Sequence, residues 1–259
     1  MVTSVLSWTG AVKKLKKDFP SKVNEEGENI PRDDESDGDE LYFTDKDYQM
    51  RAPAPKYQRI KTLEQLAMAA GRATRSLKVY VVCAGLVYGN GEDIFYNFFR
   101  SAWLSLHPEL ASLPIVGTGT NVIPTVHVAD LTQCIKHLLL SLPPVPLHIK
   151  PQQYFVAVDQ ARHQTQERIM QAISAGMGSG LIKKVELSDV LGEGWVEFLT
   201  LDMKFRTSEA FLGLSWHSPT GLSTESMSIL NQEFNIYRGL FPLKVFVTGP
   251  PAAGKTHFA

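Results

Sequence analysis

The sequence predicts an α/β fold built on a parallel β-sheet, followed by the first strand and glycine-rich loop of a second α/β unit. Apolar runs of strand length alternate with stretches of helical apolar periodicity. The clearest strand, 77–84, is almost continuously apolar, which is typical of a strand covered on both faces of a parallel sheet. A glycine-rich pattern at 249–256 follows a β-branched strand near the end of the chain.

Composition excludes several classes of protein. The 259 residues are 44% hydrophobic and 20% charged, as in ordinary globular proteins, and the net charge of −1 favours neither nucleic acid nor an anionic membrane as a partner. No apolar run approaches the roughly 20 residues of a membrane span, and we identify no signal peptide. Cys83 and Cys134 lie in apolar stretches, so we expect buried thiols in a reducing, cytosolic compartment rather than a disulfide or a metal site.

The first part of the chain combines a short strand with a strongly charged region. Residues 2–6 form a β-branched apolar run that predicts a strand. Residues 25–40 carry nine carboxylates and almost nothing apolar, so we predict a disordered acidic loop within 18–45. The lysine cluster at 13–17 suits phosphate or nucleic acid, or a solvated face that balances the acidic loop; we favour the solvated face.

From residue 57 onward, strands and helices alternate. The predicted strands are 77–84, 113–116, 154–158 and 243–248, and the predicted helices are 57–75, 94–106, 128–142, 165–175 and 222–237. Turns are expected at 85–91 and 118–121, and the stretch 183–214 has no clear periodicity. The aromatic stripe of helix 94–106 is interpreted as core packing, because basic residues hardly interleave with it as a base-stacking surface would require.

The pattern at 249–256 fits a Walker A phosphate loop. Its glycines let successive backbone N–H groups point at an anion, and the following helix adds its N-terminal dipole. Lys255 would reach the β- and γ-phosphates of ATP, and the Thr256 hydroxyl would ligate Mg²⁺. The predicted phosphate-binding residues are Gly249, Pro250, Pro251, Ala252, Ala253, Gly254, Lys255 and Thr256.

Phosphoryl transfer requires more than this loop. It also needs a Walker B carboxylate, a positioned acceptor and groups that stabilise the transferred charge. Three residues follow Thr256 in this sequence. We therefore expect the 259-residue chain by itself to have no kinase activity.

Two stretches together resemble a known family. The loop, preceded by Phe241-Pro-Leu-Lys-Val-Phe-Val, resembles the kinase-domain start of ciliary adenylate kinases, and 79–89 and 113–131 resemble the N-terminal region of those kinases. That region is itself similar to extended short-chain dehydrogenases and sugar epimerases. The resemblance implies a parent protein that converts ATP and AMP to two ADP with Mg²⁺ in cilia or flagella, among axonemal partners.

The resemblance also implies a division of the chain. Residues 1–239 would be a partial Rossmann-like, short-chain dehydrogenase-like domain that lacks its first strands, and 240–259 the start of a nucleoside monophosphate kinase domain, so the chain is expected to be truncated at both ends. No Gly-x-x-Gly-x-x-Gly turn precedes Tyr57. Because that turn forms the pyrophosphate site of the dehydrogenase fold, we do not expect NAD(P) as a cofactor.

The dehydrogenase-like resemblance points to three residues. Tyr57-x-x-x-Lys61 has the spacing of the catalytic pair, and Ser4, ahead of Trp8, matches the catalytic serine. Tyr57 would be the general acid/base, Lys61 would lower its pKa and hold a ribose, and Ser4 would orient the substrate oxygen. The acidic loop lengthens the Ser4–Tyr57 separation, and Cys83-Ala84 stand where the family carries Arg-Pro. We therefore interpret the trio as a structural remnant.

His127 and Asp130 stand at the predicted start of helix 128–142. They match a structural motif of the family, and a carboxylate suits the first turn of a helix. We expect structural roles for both.

Three hypotheses remain open. The chain is a fragment of an adenylate kinase; its dehydrogenase-like region is a non-catalytic scaffold or ciliary interaction module; or it is an NAD(P)-dependent epimerase or reductase.

Overall fold

The computed structural model describes residues 1–11, 42–74, 76–104, 112–140, 152–161 and 164–241. The strands in these ranges are β1 (Val2–Ser4), β2 (Val81–Ala84), β3 (Leu86–Tyr88), β4 (Leu113–Val116), β5 (Thr125–His127), β6 (Tyr154–Ala157) and β7 (Ile182–Val185). The helices are α1 (Gln58–Ala73), α2 (Asp93–Trp103), α3 (Val128–Leu140), α4 (Gln166–Met177), α5 (Leu187–Val190), α6 (Val196–Leu199) and α7 (Met227–Gly239). No helix in the described ranges has the length and apolar character needed to cross a membrane.

All strand pairs among the described strands are parallel, as predicted. The order β1-β2-β6 forms one sheet, in which Ser4 is level with Ala84, and Ala84 with Ala157. Two further pairs are β3-β5, with Tyr88 level with His127, and β4-β7. The carboxyl ends of β3, β5 and β6 therefore deliver the residues that follow them to one region.

The predicted turn at 85–91 is wrong for its first part, because Leu86–Tyr88 forms β3. The chain changes partners at Gly85, whose N–H donates to the Ala157 carbonyl while the next N–H donates to the Pro124 carbonyl. A Cβ on Gly85 would lie 2.7 Å from the Thr125 backbone, so a glycine is needed for this approach. At Gly85 the chain stops pairing with one neighbouring strand and starts pairing with another. In the sequence, a glycine at such a crossing cannot be told apart from a glycine in a turn.

Most predicted helices begin and end near their observed bounds. The Glu92 carboxylate accepts hydrogen bonds from the first N–H groups of α2, and the Thr165 hydroxyl caps α4 by accepting from the Arg168 N–H over 3.3 Å. The stretch 183–214, in which the sequence shows no clear periodicity, contains α5, α6 and part of β7. These elements are only four residues long, too short for a periodicity to be read.

The core confirms the packing interpretation of the aromatic stripe. Phe95, Phe98 and Phe99 of α2 are buried, and Phe99 stacks on Phe234 of α7 with ring centroids 6.3 Å apart. Trp8 is also fully buried.

Cys83 and Cys134 are buried free thiols, as predicted, and burial raises the pKa of each to about 12. Neither belongs to a metal-ligating cluster in the described ranges.

Several predictions lie outside the described residues. They are the acidic segment 25–40, the lysine cluster at 13–17, the strand at 243–248 and the phosphate loop at 249–256.

Candidate functional site

Ser4 ends strand β1 and begins a 3₁₀ turn. Its Oγ accepts a hydrogen bond from the Leu6 N–H over 3.3 Å, so the side chain caps the turn Val5–Trp8. Ser4 is half-buried, and because of this hydrogen bond its hydroxyl already has a partner in the local backbone.

Tyr57 immediately precedes α1, and Lys61 lies in its first turn. The Lys61 ammonium donates to the backbone carbonyl of Arg51 over 2.5 Å, and the Lys56 ammonium lies 5.0 Å from the centre of the Tyr57 ring. Among the described residues, no hydrogen bond joins Ser4, Tyr57 and Lys61 to one another. Their catalytic assignment stays a prediction.

A buried ion pair lies beside these residues. Arg51 Nε is 2.8 Å from Glu64 Oε2, in a geometry that makes an ion pair rather than an aligned hydrogen bond, and both side chains are almost fully buried. Glu64 Oε1 accepts the hydroxyls of Thr3 over 2.7 Å and Ser7 over 3.2 Å. Burial raises the pKa of the Glu64 carboxyl despite the neighbouring guanidinium.

This network ties β1, α1 and the segment before α1 together. The Arg51 guanidinium also lies 4.6 Å from the centre of the Tyr154 ring in β6. A single arginine before a proline-rich stretch carries no sequence signal for such a role, so this function of Arg51 was not predicted.

Asp130 has the structural role that was expected, through partners that the sequence did not indicate. Its Oδ1 accepts the His217 N–H over 2.5 Å and its Oδ2 accepts the Ser218 N–H over 3.0 Å. The buried carboxylate thereby holds the loop around 217 against the start of α3. No hydrogen bond joins Asp130 to His127, although both side chains are described.

His127, at the end of β5, pairs instead with Glu233 of α7. Its Nε2 lies 2.9 Å from Glu233 Oε2, and its Nδ1 accepts the Ala129 N–H over 3.2 Å. An imidazole nitrogen that accepts an N–H carries no proton, so in the neutral ring the proton is on Nε2 and is donated to Glu233.

His217 completes this cluster from a loop. Its Nε2 lies 2.7 Å from Glu233 Oε1, and its ring centroid is 4.7 Å from that of His127. The two imidazoles lower the pKa of the Glu233 carboxyl, although burial alone would raise it. One carboxylate between two imidazoles is a set of donors that could hold a metal ion.

A second polar group lies at the same ends of the strands. Asp159, after β6, accepts the Thr125 hydroxyl over 2.7 Å, and burial raises the pKa of its carboxyl to about 7. The Tyr88 hydroxyl donates to Ser218 Oγ over 3.0 Å. Burial also raises the pKa of Tyr88 well above its ordinary value.

The concavities in the described ranges include a small one and a groove. A cavity of about 30 Å³ is bordered by Thr125, Asp159 and Gln164, and a groove of about 200 Å³ by apolar side chains that include Val2 and Leu138. Both are smaller than the roughly 300–1,000 Å³ of typical cofactor sites.

Comparison with known proteins gives two kinds of match. No protein-family model matches the chain. Over 228 residues the chain is 35% identical to mouse adenylate kinase 7, covering 85% of this chain and 35% of the mouse protein. It is 37% identical over 204 residues to adenylate kinase 7 of Macaca fascicularis, covering 76% of this chain and 36% of that protein. The chain thus spans about a third of the length of these curated relatives.

The solved structures that resemble the chain indicate its fold. The human epimerase family protein SDR39U1, solved with NADPH, aligns with 89% of this chain and 64% of its own at a TM-score of 0.56 and 16% identity. UDP-N-acetylglucosamine 4-epimerase from Bacillus cereus aligns with 94% of this chain and 64% of its own at a TM-score of 0.55 and 12% identity. Both resemblances predicted from the sequence are confirmed: the chain is homologous to part of adenylate kinase 7, and it has the Rossmann-like fold of short-chain dehydrogenases and epimerases.

Proposed function

We propose that this chain is part of a nucleoside monophosphate kinase whose reaction converts ATP and AMP to two ADP. The observation that carries the proposal is its 35–37% identity to adenylate kinase 7 over most of its length. The Walker pattern at 249–256 supports it, with Lys255 assigned to the β- and γ-phosphates and Thr256 to Mg²⁺. The 259-residue polypeptide by itself is proposed to be inactive, since phosphoryl transfer needs a Walker B carboxylate and a positioned acceptor in addition to the loop.

The kinase proposal is tested with two polypeptides. The 259-residue chain, given ATP, AMP and Mg²⁺, should form no ADP, as measured by chromatography of the nucleotides. An extension of the reading frame should continue with an Asp-Gly-Phe-Pro-like strand and a lid, and the extended protein should form ADP. Lys255→Ala should abolish that activity, because the phosphates lose their principal cation. ADP formation by the short chain, lost on Lys255→Ala, would contradict only the expected inactivity of that chain. An extended protein that forms no ADP would contradict the kinase proposal.

The dehydrogenase-like region is proposed to be a non-catalytic scaffold. Lys61 and Ser4, which would have to face a cofactor and a substrate, each have a hydrogen-bond partner within the protein backbone. Neither of the two concavities described above has the roughly 300–1,000 Å³ of a typical cofactor site.

An NAD(P)-dependent epimerase or reductase is the second candidate. The observation in its favour is the fold shared with a protein solved with NADPH. Titration of the chain with NADH and NADPH discriminates the two: the scaffold proposal expects neither a change in nicotinamide fluorescence nor a thermal shift. Saturable binding that weakens in Tyr57→Phe and Lys61→Met would favour the epimerase instead.

The resemblance to ciliary adenylate kinases extends the proposal to a ciliary or flagellar location with axonemal partners. Imaging of a tagged full-length protein in ciliated cells tests the location. Uniform cytosolic signal would contradict it.

A further inference from the structure

We propose that His127, His217 and Glu233 form a binding site for a divalent transition-metal ion of the zinc class. The three side chains come from three separate elements: the end of β5, the loop around 217, and α7. Their donor atoms all lie within 4.8 Å of one another. This cluster is independent of the phosphate loop and of the kinase proposal.

The donor set selects the class of ion. Two imidazole nitrogens and one carboxylate oxygen suit zinc and its neighbours, whereas Mg²⁺ and Ca²⁺ prefer sites made of oxygen. Three protein ligands of the His₂Glu type leave a fourth position open to water, as in zinc sites with an exchangeable ligand. The ion proposed here is therefore chemically distinct from the Mg²⁺ assigned to Thr256.

The distances are short enough for one ion to bridge the donors. Glu233 lies 2.9 Å from His127 and 2.7 Å from His217, measured between the hydrogen-bonded atoms. Tetrahedral bonds of about 2.0–2.1 Å place zinc ligands about 3.3 Å apart. The Glu233 oxygens must therefore move about half an ångström away from their imidazole nitrogens. No two of the three donor atoms lie more than 4.8 Å apart, so the widest pair has to close by at most about 1.5 Å.

The local charge favours a cation. Each oxygen of the Glu233 carboxylate lies within hydrogen-bond distance of one imidazole nitrogen, so the acidic group stands between the two rings. The buried carboxyl of Asp130 accepts the backbone N–H of His217 and brings a second acidic group nearby. Within the described part of the chain, no lysine or arginine forms an ion pair with Glu233.

Access is open on one side. The His127 side chain is fully buried and that of Glu233 is 14% exposed, while that of His217 is 41% exposed. An ion can thus reach the cluster past His217, and the two other ligands are held by the surrounding fold.

Binding requires one rearrangement, which makes the proposal specific. In the metal-free protein the Ala129 N–H donates to His127 Nδ1 and places the ring proton on Nε2. Coordination at Nε2 moves that proton to Nδ1, and the hydrogen bond from Ala129 is lost. The loss of this hydrogen bond weakens the affinity for the metal ion. In metal sites whose ligands are held by hydrogen bonds, removal of one such partner typically lowers the metal affinity by about 10–100-fold.

The test uses the whole 259-residue chain, freed of metal by a chelator. Zn²⁺ is titrated by calorimetry, and Co²⁺ by the visible absorption that a tetrahedral site gives. His217→Asn and Glu233→Gln should each weaken Zn²⁺ binding by about 100-fold or more, since a ligand lost outweighs an outer-shell partner. His217→Asn is the variant that best preserves the fold, because Asp130 binds the backbone of residue 217 rather than its side chain.

His137→Asn is the matched control, because the sequence holds seven histidines and any of them can bind zinc weakly. It changes a half-buried histidine of α3 outside the cluster and should retain wild-type affinity. Equal Zn²⁺ affinity in the wild type, His217→Asn and Glu233→Gln would overturn the proposal, as would absence of binding by the wild type at micromolar Zn²⁺. Imidazole nitrogen NMR should show the His127 proton moving to Nδ1, and an unchanged tautomer at saturating Zn²⁺ would contradict His127 as a ligand.

Discussion

The Lys61 ammonium donates a hydrogen bond to the backbone carbonyl of Arg51 over 2.5 Å. This contact joins the first turn of α1 to the segment that precedes it. Lys61, the lysine of the Tyr-x-x-x-Lys pattern, therefore has a structural role that requires no cofactor.

Replacement of Lys61 by methionine should therefore reduce stability. The hydrogen bond of a charged group contributes about 1.5–3 kcal/mol, and methionine keeps most of the apolar length of the side chain. Urea unfolding followed by circular dichroism measures the loss. Lys136→Met, on the exposed face of α3, is the control and should leave stability unchanged. If Lys61→Met is as stable as the wild type, the contact with Arg51 contributes nothing to stability.

Glu64→Gln should destabilise the fold more strongly. The amide can still accept the hydroxyls of Thr3 and Ser7, but it leaves the buried Arg51 guanidinium without a counter-charge. Removal of one partner of a buried ion pair costs about 3–5 kcal/mol in unfolding free energy. The double variant Arg51→Met/Glu64→Gln should lose less than the sum of the single losses, because no buried charge is then unpaired.

The exposed pair Lys46–Glu209 provides the comparison for Glu64. Its atoms are 3.1 Å apart, but its side chains are 77% and 83% exposed. Water screens such a pair, so Glu209→Gln should have no measurable effect on unfolding. Additive losses in the Arg51/Glu64 double variant would contradict the coupling inferred for the buried pair.

Asp159 should make stability depend on pH near neutrality. Its pKa is about 7 in the folded protein, against 3.8 ordinarily, so the folded state holds a proton that the unfolded state releases. This contribution is fully present below about pH 3.8 and is lost as the pH rises through about 7. A shift of this size corresponds to roughly 4 kcal/mol. Unfolding free energy should consequently fall between pH 4 and pH 7 through this group.

Asp159→Asn tests that dependence. The amide has nearly the same shape, can still accept the Thr125 hydroxyl, and does not titrate. The variant should lose the Asp159 component of the pH slope and be more stable than the wild type at pH 8, as urea unfolding at several pH values would measure. Asp189→Asn, at an exposed position, should retain the wild-type slope. If the pH dependence of the unfolding free energy is unchanged in Asp159→Asn, a group other than Asp159 is responsible for it.

Gly89→Ala should disturb the histidine cluster. Gly89 has a φ of +89°, and a Cβ there would lie 2.1 Å from His127 Nε2. Gly117 is the matched control, with a φ of +65° and nothing within 4 Å of an added Cβ. Gly117→Ala should cost about 1–2 kcal/mol, the ordinary penalty of the left-handed region. Gly89→Ala should cost clearly more in urea unfolding; equal losses would show that the approach to His127 is relaxed without strain.

The architecture was predictable because it depends on local periodicity. Strand β4 was predicted with its observed bounds, and helices α1 to α4 within a few residues of theirs, since apolar spacing and caps such as Thr165 are encoded in neighbouring residues. Strands β3 and β5 were not predicted as such, because three residues have no measurable period. The equally short β1 was predicted only from the longer β-branched apolar run at 2–6.

The pairing of polar side chains was not predictable in the same way. His127 and Glu233 are 106 residues apart, and Arg51 reaches Glu64 across a proline-rich segment. The sequence by itself determined the alternating α/β order, the parallel sheet, the buried thiols and the similarity to adenylate kinases. Only the tertiary structure decided which carboxylate meets which cation or imidazole, because such contacts depend on how strands and helices are brought together and leave no periodic trace along the chain.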